Sequence, residues 1–156
     1  MLTSLLAMQW HALRLYRLSV RLDKAKMPAL SVVALQVGKL LSGIEIDHGA
    51  VIGEGTVFIH GNGIVIGTGA KVGQDCRIFH QVTIGTQDGS TYPTVGDRVT
   101  CYPGAKIIGD ITIGDDVVIG ANAVVLHDVA PGSVVAGNPA VVIRSTPVDE
   151  NLSEGS

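Results

Sequence analysis

The stretch VGDRVTCYPGAKIIGDITIGDDVVIGANAVVL, residues 95–126, determines the fold of this chain. A small or branched apolar residue returns at every sixth position, in the order Val95, Cys101, Ile107, Ile113, Ile119 and Val125. A fixed short period of this kind indicates a repeat architecture in which each repeat is one structural unit. Each six-residue unit supplies one flat strand and a corner, so three units close a triangular coil of roughly eighteen residues. We therefore predict a mainly β fold, a parallel β-helix of the solenoid type.

The period extends back to Ile46 and is interrupted at two places. Extra residues fall first near His60-Gly61-Asn62-Gly63 and then in a loop at residues 86–93. A residue extruded from a regular coil points away from the core and is free to contact a ligand. The two interruptions are therefore the first places to look for a functional site.

The composition fits a narrow apolar interior. Of the 156 residues, 46% are hydrophobic but only 4% are aromatic, and there are 20 glycines. A net charge of -3 argues against a dedicated nucleic-acid-binding protein, which usually carries a basic excess. Cys76 and Cys101 are too few and too far apart for a disulfide scaffold, so we expect both to be small interior residues. We see no signal peptide and predict a cytoplasmic protein.

The chain divides into three predicted parts. Residues 1–43 have helical spacing of apolar residues, with Pro28 in the first turn of a second helix and Gly43 as its stop. Residues 44–130 form the β-helix, and residues 131–156 form a closing segment followed by a flexible acidic tail. We expect the helices and the closing segment to cover the two ends of the solenoid.

His60 is the strongest candidate for chemistry because it lies inside the first interruption. Glu45 precedes it by fifteen residues, nearly one coil, so the two side chains can be neighbours. A carboxylate beside an imidazole orients the ring and stabilises its charged form, which suits a general base for a hydroxyl group. The alternative is that His60 is a surface residue of the bulge with no role in chemistry. His80 stands at a corner of the next coil and is predicted either to orient an acceptor or carbonyl, or to be a surface corner.

Five segments carry a resemblance to a known family: IHGNGIVIG (59–67), HQVTIG (80–85), GAKIIGDITIG (104–114), IGANAVV (119–125) and AGNPA (136–140). These segments lie within residues 44–144, and that part of the chain resembles the hexapeptide-repeat acyltransferases. Within that family the chain is most similar to the serine acetyltransferase branch and to the colanic-acid-type polysaccharide O-acetyltransferases. The resemblance implies a left-handed parallel β-helix that transfers an acetyl group from acetyl-CoA to a hydroxyl oxygen.

The resemblance also implies roles for individual residues. His60 corresponds to the general base and Glu45 to its acidic partner, and the hydroxyl attacks the thioester directly. Coenzyme A is expected in a groove between neighbouring subunits of a homotrimer. The positions implied to line that groove, or to hold the oxyanion through backbone N–H groups, are Gly85, Thr86, Pro103, Ala121 and Arg144.

Three residues depart from the pattern of typical serine acetyltransferases. Ile59 stands where those enzymes usually have Asp, and Thr91-Tyr92 stands where they usually have Arg-His. The acceptor is therefore left open between L-serine and a sugar, with a polysaccharide or sugar-nucleotide O-acetyltransferase as the alternative.

Two other classes of function fit parts of the sequence less well. A non-catalytic hexapeptide-repeat scaffold or binding subunit would need neither His60 nor Glu45. A basic stripe on the first helix, formed by Arg14, Arg17 and Arg21, is better explained by a solvated face or a subunit contact than by a membrane surface. We predict no metal site, because the histidines share no ligand spacing with acidic residues.

Overall fold

The computed structural model describes the backbone of residues 2–145 and the side chains of residues 11–145. The chain begins with two helices, α1 (Leu2–Lys24) and α2 (Pro28–Ser42). Pro28 lies in the first turn of α2 as predicted, where its missing N–H is not needed. Gly43 ends the helix with a φ of 67°, and its N–H donates to the carbonyl of Lys39. The predicted helical region and both of its boundary signals are confirmed.

The rest of the described chain is built from short strands. In chain order they are β1 (Glu45–Ile46), β2 (Val51–Ile52), β3 (Val57–Ile59), β4 (Val65–Ile66), β5 (Lys71–Val72), β6 (Arg77–Phe79), β7 (Thr83–Gly85), β8 (Thr94–Val95), β9 (Thr100–Cys101), β10 (Lys106–Ile108), β11 (Thr112–Ile113), β12 (Val118–Ile119), β13 (Val124–Val125), β14 (Ser133–Ala136) and β15 (Val141–Ser145). Every third strand pairs in parallel, which is the connectivity of a three-sided β-helix. The predicted fold class is confirmed.

Three sheets form the three sides. The first contains β1, β4, β7, β10 and β13, the second contains β2, β5, β8 and β11, and the third contains β3, β6, β9, β12, β14 and β15. In the regular part the register joins residues eighteen positions apart, as in Ile113 with Val95. In the first coil Ile46 pairs with Ile66, twenty positions later. The two additional residues are those of the first interruption.

Each of the strands β1 to β14 places one apolar residue in or against the interior, whereas all five residues of β15 are exposed. Ile66, Ile84, Ile107 and other members of the six-residue period are fully buried. Cys76 and Cys101 lie in this interior with 1% of their surface exposed, which confirms their predicted structural role. Burial raises the pKa of both thiols, that of Cys101 to about 12. The narrow interior explains why a chain with so few aromatic residues forms a continuous core.

Both ends of the described solenoid are covered. At the first coil, the Tyr16 hydroxyl of α1 donates to the carbonyl of Ala50, and Leu35 of α2 packs against the core. At the other end, β15 turns back and pairs antiparallel with β14. The predicted flexible tail beyond Ser145 lies outside the described residues.

Candidate active site

Four residues stand in one column at the corner where the third sheet turns into the first. They are His60, His80, Pro103 and Ala121, and we call this column the histidine corner. The parallel register of β3, β6, β9 and β12 stacks them in successive coils. Adjacent strands lie about 4.8 Å apart, so the column is about 14 Å long. An extended ligand can therefore run along it from Ala121 to His60.

The first interruption lifts His60 out of the regular corner. His60 has a φ of 54°, and the N–H of Asn62 donates back to its carbonyl at 2.7 Å. The bulge then returns to the coil at Gly63, whose N–H donates to the carbonyl of Gly43 at 2.8 Å. Gly61 lies against the first coil, and a Cβ there would come within 2.4 Å of Ile44 Cδ1. The His60 side chain is exposed, as predicted for an extruded residue.

His80 lies directly above His60 in the next coil. The two ring centroids are 6.3 Å apart and the rings meet edge to face, at 70°. His80 is half-buried, and its Nδ1 is shielded from solvent without a hydrogen-bond partner. The backbone beside it is held by Lys106, whose Nζ donates to the carbonyls of Gln81 at 2.6 Å and Gly104 at 3.1 Å. The structure therefore brings the two candidate histidines together.

Glu45 lies in the coil before His60, at the start of the first sheet. Its register partner is Val65, five positions beyond His60, because the bulge lengthens this coil. Its carboxylate forms an ion pair with Lys39 Nζ at 2.7 Å, and both side chains are about half exposed. The pairing of Glu45 with His60 stays a prediction. Lys39 was not singled out from the sequence, where nothing distinguishes it from other surface lysines.

The remaining predicted site residues lie away from the histidine corner of the same chain. Gly85 ends β7 and Thr86 follows it, so both stand at the opposite edge of the first sheet. Arg144 lies on β15 at the far end of the third sheet, opposite Val134. Within one chain, His60 and His80 are therefore separated from Gly85 and Thr86 by one side of the triangular coil.

The first half of the loop at residues 86–93 is closed by hydrogen bonds to Asp88 and Thr86. The Asp88 carboxylate accepts hydrogen bonds from the N–H and hydroxyl of Ser90, the Thr86 hydroxyl and the Thr91 N–H. These bonds favour the charged form and lower the pKa of Asp88. Thr86 thus builds the turn with its hydroxyl.

In the second half of this loop, Tyr92 lies across a neighbouring corner. A Cβ at Gly67 would come within 2.6 Å of the Tyr92 ring, and one at Gly69 within 2.5 Å. Only glycine leaves room for the ring at these two positions. The half-buried Tyr92 therefore anchors the loop to the preceding coil, between β4 and β5.

An aromatic pair beside the histidine corner was missed in the sequence. Phe79 and Tyr102 stack with their centroids 5.3 Å apart and their planes at 20°. They immediately precede His80 and Pro103, and Tyr102 is 42% exposed. The sequence could have predicted this pair, because the six-residue period puts the two rings at equivalent positions in successive coils.

No three His, Cys, Asp or Glu side chains in the described part of the chain are arranged to hold a metal ion. No described helix has the length and apolar character needed to cross a membrane.

The fold and the histidine corner define a transferase of the hexapeptide-repeat class. A family model described as "Bacterial transferase hexapeptide (six repeats)" matches residues 92–127. The serine acetyltransferase of Helicobacter pylori strain 26695 is 44% identical over 136 residues, covering 85% of this chain and 80% of that protein. The enzyme of Mycobacterium tuberculosis H37Rv is also 44% identical over 136 residues, covering 85% of this chain and 59% of that protein. The chain belongs to the serine acetyltransferase family.

Solved structures give the same result. Serine acetyltransferase from Brucella abortus strain S19 superposes with a TM-score of 0.85 at 32% identity, covering 89% of this chain and 57% of that one. A serine acetyltransferase in complex with CoA has a TM-score of 0.82 at 33% identity, covering 87% of this chain and 57% of that one. The soybean enzyme complexed with serine has a TM-score of 0.81 at 33% identity, covering 85% and 56%. The chain thus spans a little over half of these longer proteins.

The comparisons confirm the predicted family resemblance. They also confirm the predicted class of enzyme, an acyl-CoA O-acetyltransferase with acetyl-CoA as cosubstrate. The non-catalytic scaffold is not supported, because the relatives named above are enzymes.

Proposed function

We propose that this protein transfers an acetyl group from acetyl-CoA to the hydroxyl of L-serine. The observation that carries the proposal is the histidine corner in a chain of this family, with His60 exposed at one end of the column. Identity of 44% to a serine acetyltransferase over 136 residues favours serine among the possible acceptors.

In the proposed reaction, His60 accepts the proton of the serine hydroxyl as the oxygen attacks the thioester carbonyl. A C–O bond forms, and the resulting tetrahedral intermediate then breaks its C–S bond. The proton that His60 accepts from serine then protonates the departing CoA thiolate. The products are therefore O-acetylserine and CoA thiol. No acyl-enzyme is required, because holding both substrates in one cleft supplies much of the acceleration.

Glu45 is proposed to orient His60 and to stabilise its charged form. Its ion pair with Lys39 is about half exposed, so it contributes little to the position of the carboxylate. Glu45→Gln is therefore expected to lower kcat more than it changes the KM for acetyl-CoA. Lys39→Met is the control, since an exposed ion pair contributes only about 0–1 kcal/mol. Equal effects of the two substitutions would mean that Glu45 serves the ion pair alone.

The site is proposed to be completed by a second subunit. Pro103 and Ala121 lie on the histidine corner, whereas Gly85, Thr86 and Arg144 do not, so one groove within a single chain does not gather them all. A homotrimer with coenzyme A between neighbouring subunits resolves this separation. Analytical ultracentrifugation of the whole protein tests the homotrimer, and a monomer that remains fully active would contradict it.

We also propose that the protein acts in the cytoplasm.

A sugar hydroxyl is the second candidate acceptor. Tyr92 packs on Gly67 and Gly69 of the preceding coil, and its neighbour Thr91 is uncharged. Ile59, beside His60, is apolar. Uncharged side chains at these three positions suit an uncharged acceptor better than an amino acid, which presents both a carboxylate and an ammonium group.

Thiol release from acetyl-CoA tests the proposed function. We expect thiol release with L-serine to be at least about tenfold faster than thiol release without an acceptor. A factor of this size corresponds to a small difference in activation free energy. Homoserine and a panel of sugars are tested in parallel. Turnover with a sugar but not with L-serine would make that sugar the proposed acceptor. A thermal-shift assay with CoA separates loss of activity from loss of binding, because saturation at 100 Kd stabilises the folded state by about 2.7 kcal/mol.

A further inference from the structure

The outer face of α2 is apolar and exposed, although a helix on the surface of a protein usually turns polar residues outward. Its inner face consists of the small residues Ser31, Ala34 and Gly38, which are buried. Large apolar side chains cover the outer face, which we call the apolar face of α2, and they are Leu30, Val33, Val37, Leu40 and Leu41. Leu40 is 85% exposed, and the other four are between 39% and 56% exposed. A contiguous exposed surface of this kind indicates a binding surface.

This apolar surface continues onto α1. The two helices form a hairpin, and a Cβ at Gly38 would lie 3.4 Å from Leu15 Cβ, so Leu15 faces α2. Leu18 comes three positions after Leu15, which puts it on the same flank of α1, and it is 43% exposed. Leu35 packs inward against the core, and Val33 lies on the opposite side of α2. The apolar surface therefore spans both helices and faces away from the first coil.

Basic side chains border this surface. Leu18 lies between Arg14, four positions before it, and Arg21, three positions after it, and residues at these spacings are neighbours on a helix. Both arginines are exposed, as are Arg17 and Lys24 of the same helix. The sequence alone favours a solvated face or a subunit contact for this basic stripe. The apolar surface beside it, which the structure adds, favours a different partner.

The charge of the chain is divided unequally between the helices and the remainder. Residues 1–43 contain six of the eleven Lys and Arg residues and one of the fourteen Asp and Glu residues, which gives a net charge of +5. Residues 44–156 contain the other five basic and thirteen acidic residues, which gives a net charge of -8. An anionic surface would therefore attract the helices and repel the rest of the chain. The asymmetry orients the protein with its helices toward such a surface.

This charge also decides between the partners that an apolar surface fits. The same surface on a second copy would bring two regions of charge +5 together, and their repulsion opposes that contact. An anionic lipid surface attracts the arginines and also accepts the apolar side chains. A basic edge beside an apolar face is the arrangement with which amphipathic helices bind at the interface of a membrane.

We propose that α1 and α2 form a peripheral binding surface for a membrane that contains anionic lipids. The apolar face of α2 enters the boundary between headgroups and acyl chains, and the arginines of α1 contact the anionic headgroups. The acidic β-helix is held on the water side of the membrane. This inference is independent of the proposed acyl transfer, because it uses no residue of the histidine corner.

Co-sedimentation of the whole protein with lipid vesicles tests the proposal. One set of vesicles contains phosphatidylcholine and phosphatidylserine at about 3:1, and the other contains phosphatidylcholine alone. We expect the protein to bind the anionic vesicles at low salt, and to bind the neutral vesicles at least about tenfold more weakly. Binding to the anionic vesicles should also fall at about 0.5 M NaCl, because salt screens the attraction.

Two double variants separate local charge from total charge. Arg17→Gln/Arg21→Gln and Lys71→Gln/Arg77→Gln lower the net charge by the same amount, and all four side chains are exposed. Each cation near an anionic surface strengthens binding by about fivefold, so the first variant should bind about 10–30-fold more weakly. The second changes strands of the β-helix and should bind within about threefold of the wild type. Leu40→Gln should weaken binding by about threefold or more, because it removes apolar area from the interface.

Several results would overturn the proposal. One is wild-type protein that stays in the supernatant with anionic vesicles at low salt, and another is equal binding to the two kinds of vesicle. Equal losses of binding in the two double variants would also overturn it, since only total charge would then matter. Analytical ultracentrifugation tests the competing partner. An assembly that dissociates in Leu40→Gln but not in Lys71→Gln/Arg77→Gln would assign the surface to a second copy instead of a membrane.

Discussion

Replacing His60 by Asn removes the proposed base while preserving the backbone of the bulge. His60 has a φ of 54°, in the left-handed region that non-glycine residues seldom adopt. Asn tolerates this region better than most side chains because its short polar group bonds locally. Ala has no polar group to offset the cost of this backbone conformation, so His60→Ala would combine a change in folding energy with the loss of the imidazole. The Asn variant therefore separates chemistry from folding.

The expected loss follows from the role assigned to His60. A positioned general base contributes about 10²–10⁴ in rate. With 1.36 kcal/mol for each factor of ten, His60→Asn should raise the activation free energy by about 2.7–5.4 kcal/mol. The free energy of unfolding should change by less than about 0.5 kcal/mol, as for other exposed substitutions. His60→Gly is a second control, since glycine accepts the same φ and also lacks a base.

The assay is steady-state thiol release with L-serine and acetyl-CoA, alongside urea unfolding of each variant. Both variants should lose activity to a similar extent while they unfold at the midpoint of the wild type. An Asn variant that retains more than about a tenth of the wild-type kcat would contradict the role of His60, because a general base contributes a larger factor. Loss of activity with a matching loss of stability would also count against it.

Three further predictions concern the solenoid. Ile107→Ala should lower the free energy of unfolding by about 2–5 kcal/mol and Ile107→Val by about 0.5–1.5 kcal/mol, measured by urea unfolding, because this side chain is fully buried. Gly53→Ala should lower the melting temperature, since its Cβ would lie 2.5 Å from the backbone of Gly73, whereas Gly85→Ala, with its nearest atom at 3.7 Å, should melt like the wild type. Cys101 should resist a thiol reagent at pH 8 until the protein unfolds, because burial raises its pKa to about 12; reaction in the native state would contradict its place in the core.

The fold was predictable because a single physical signal repeats along the chain. Each unit from Val95 to Val125 has the same apolar position, so the period specifies the strands, their order and the interior together. The extrusion of His60 followed from counting residues between units. The same counting puts His80, Pro103 and Ala121 at one corner.

The contacts between the helices and the first coil were not predictable. Lys39 pairs with Glu45 only because α2 ends beside the first strand, and the six-residue period does not report the direction of a helix. The shielding of His80 Nδ1 likewise depends on neighbours from other coils. The position of Tyr92 on Gly67 required the path of a loop whose length alone was visible in the sequence.

The antiparallel return of β15 onto β14 also affects solubility. A stack of parallel coils ends in unpaired backbone N–H and C=O groups, to which another molecule can add like one more coil. By reversing direction, β15 offers such a molecule a strand of the wrong polarity on this side of the triangle. A chain shortened to end at Ala136 would lose this block, and we expect two copies to associate through the exposed edge, since the helices still cover the first coil.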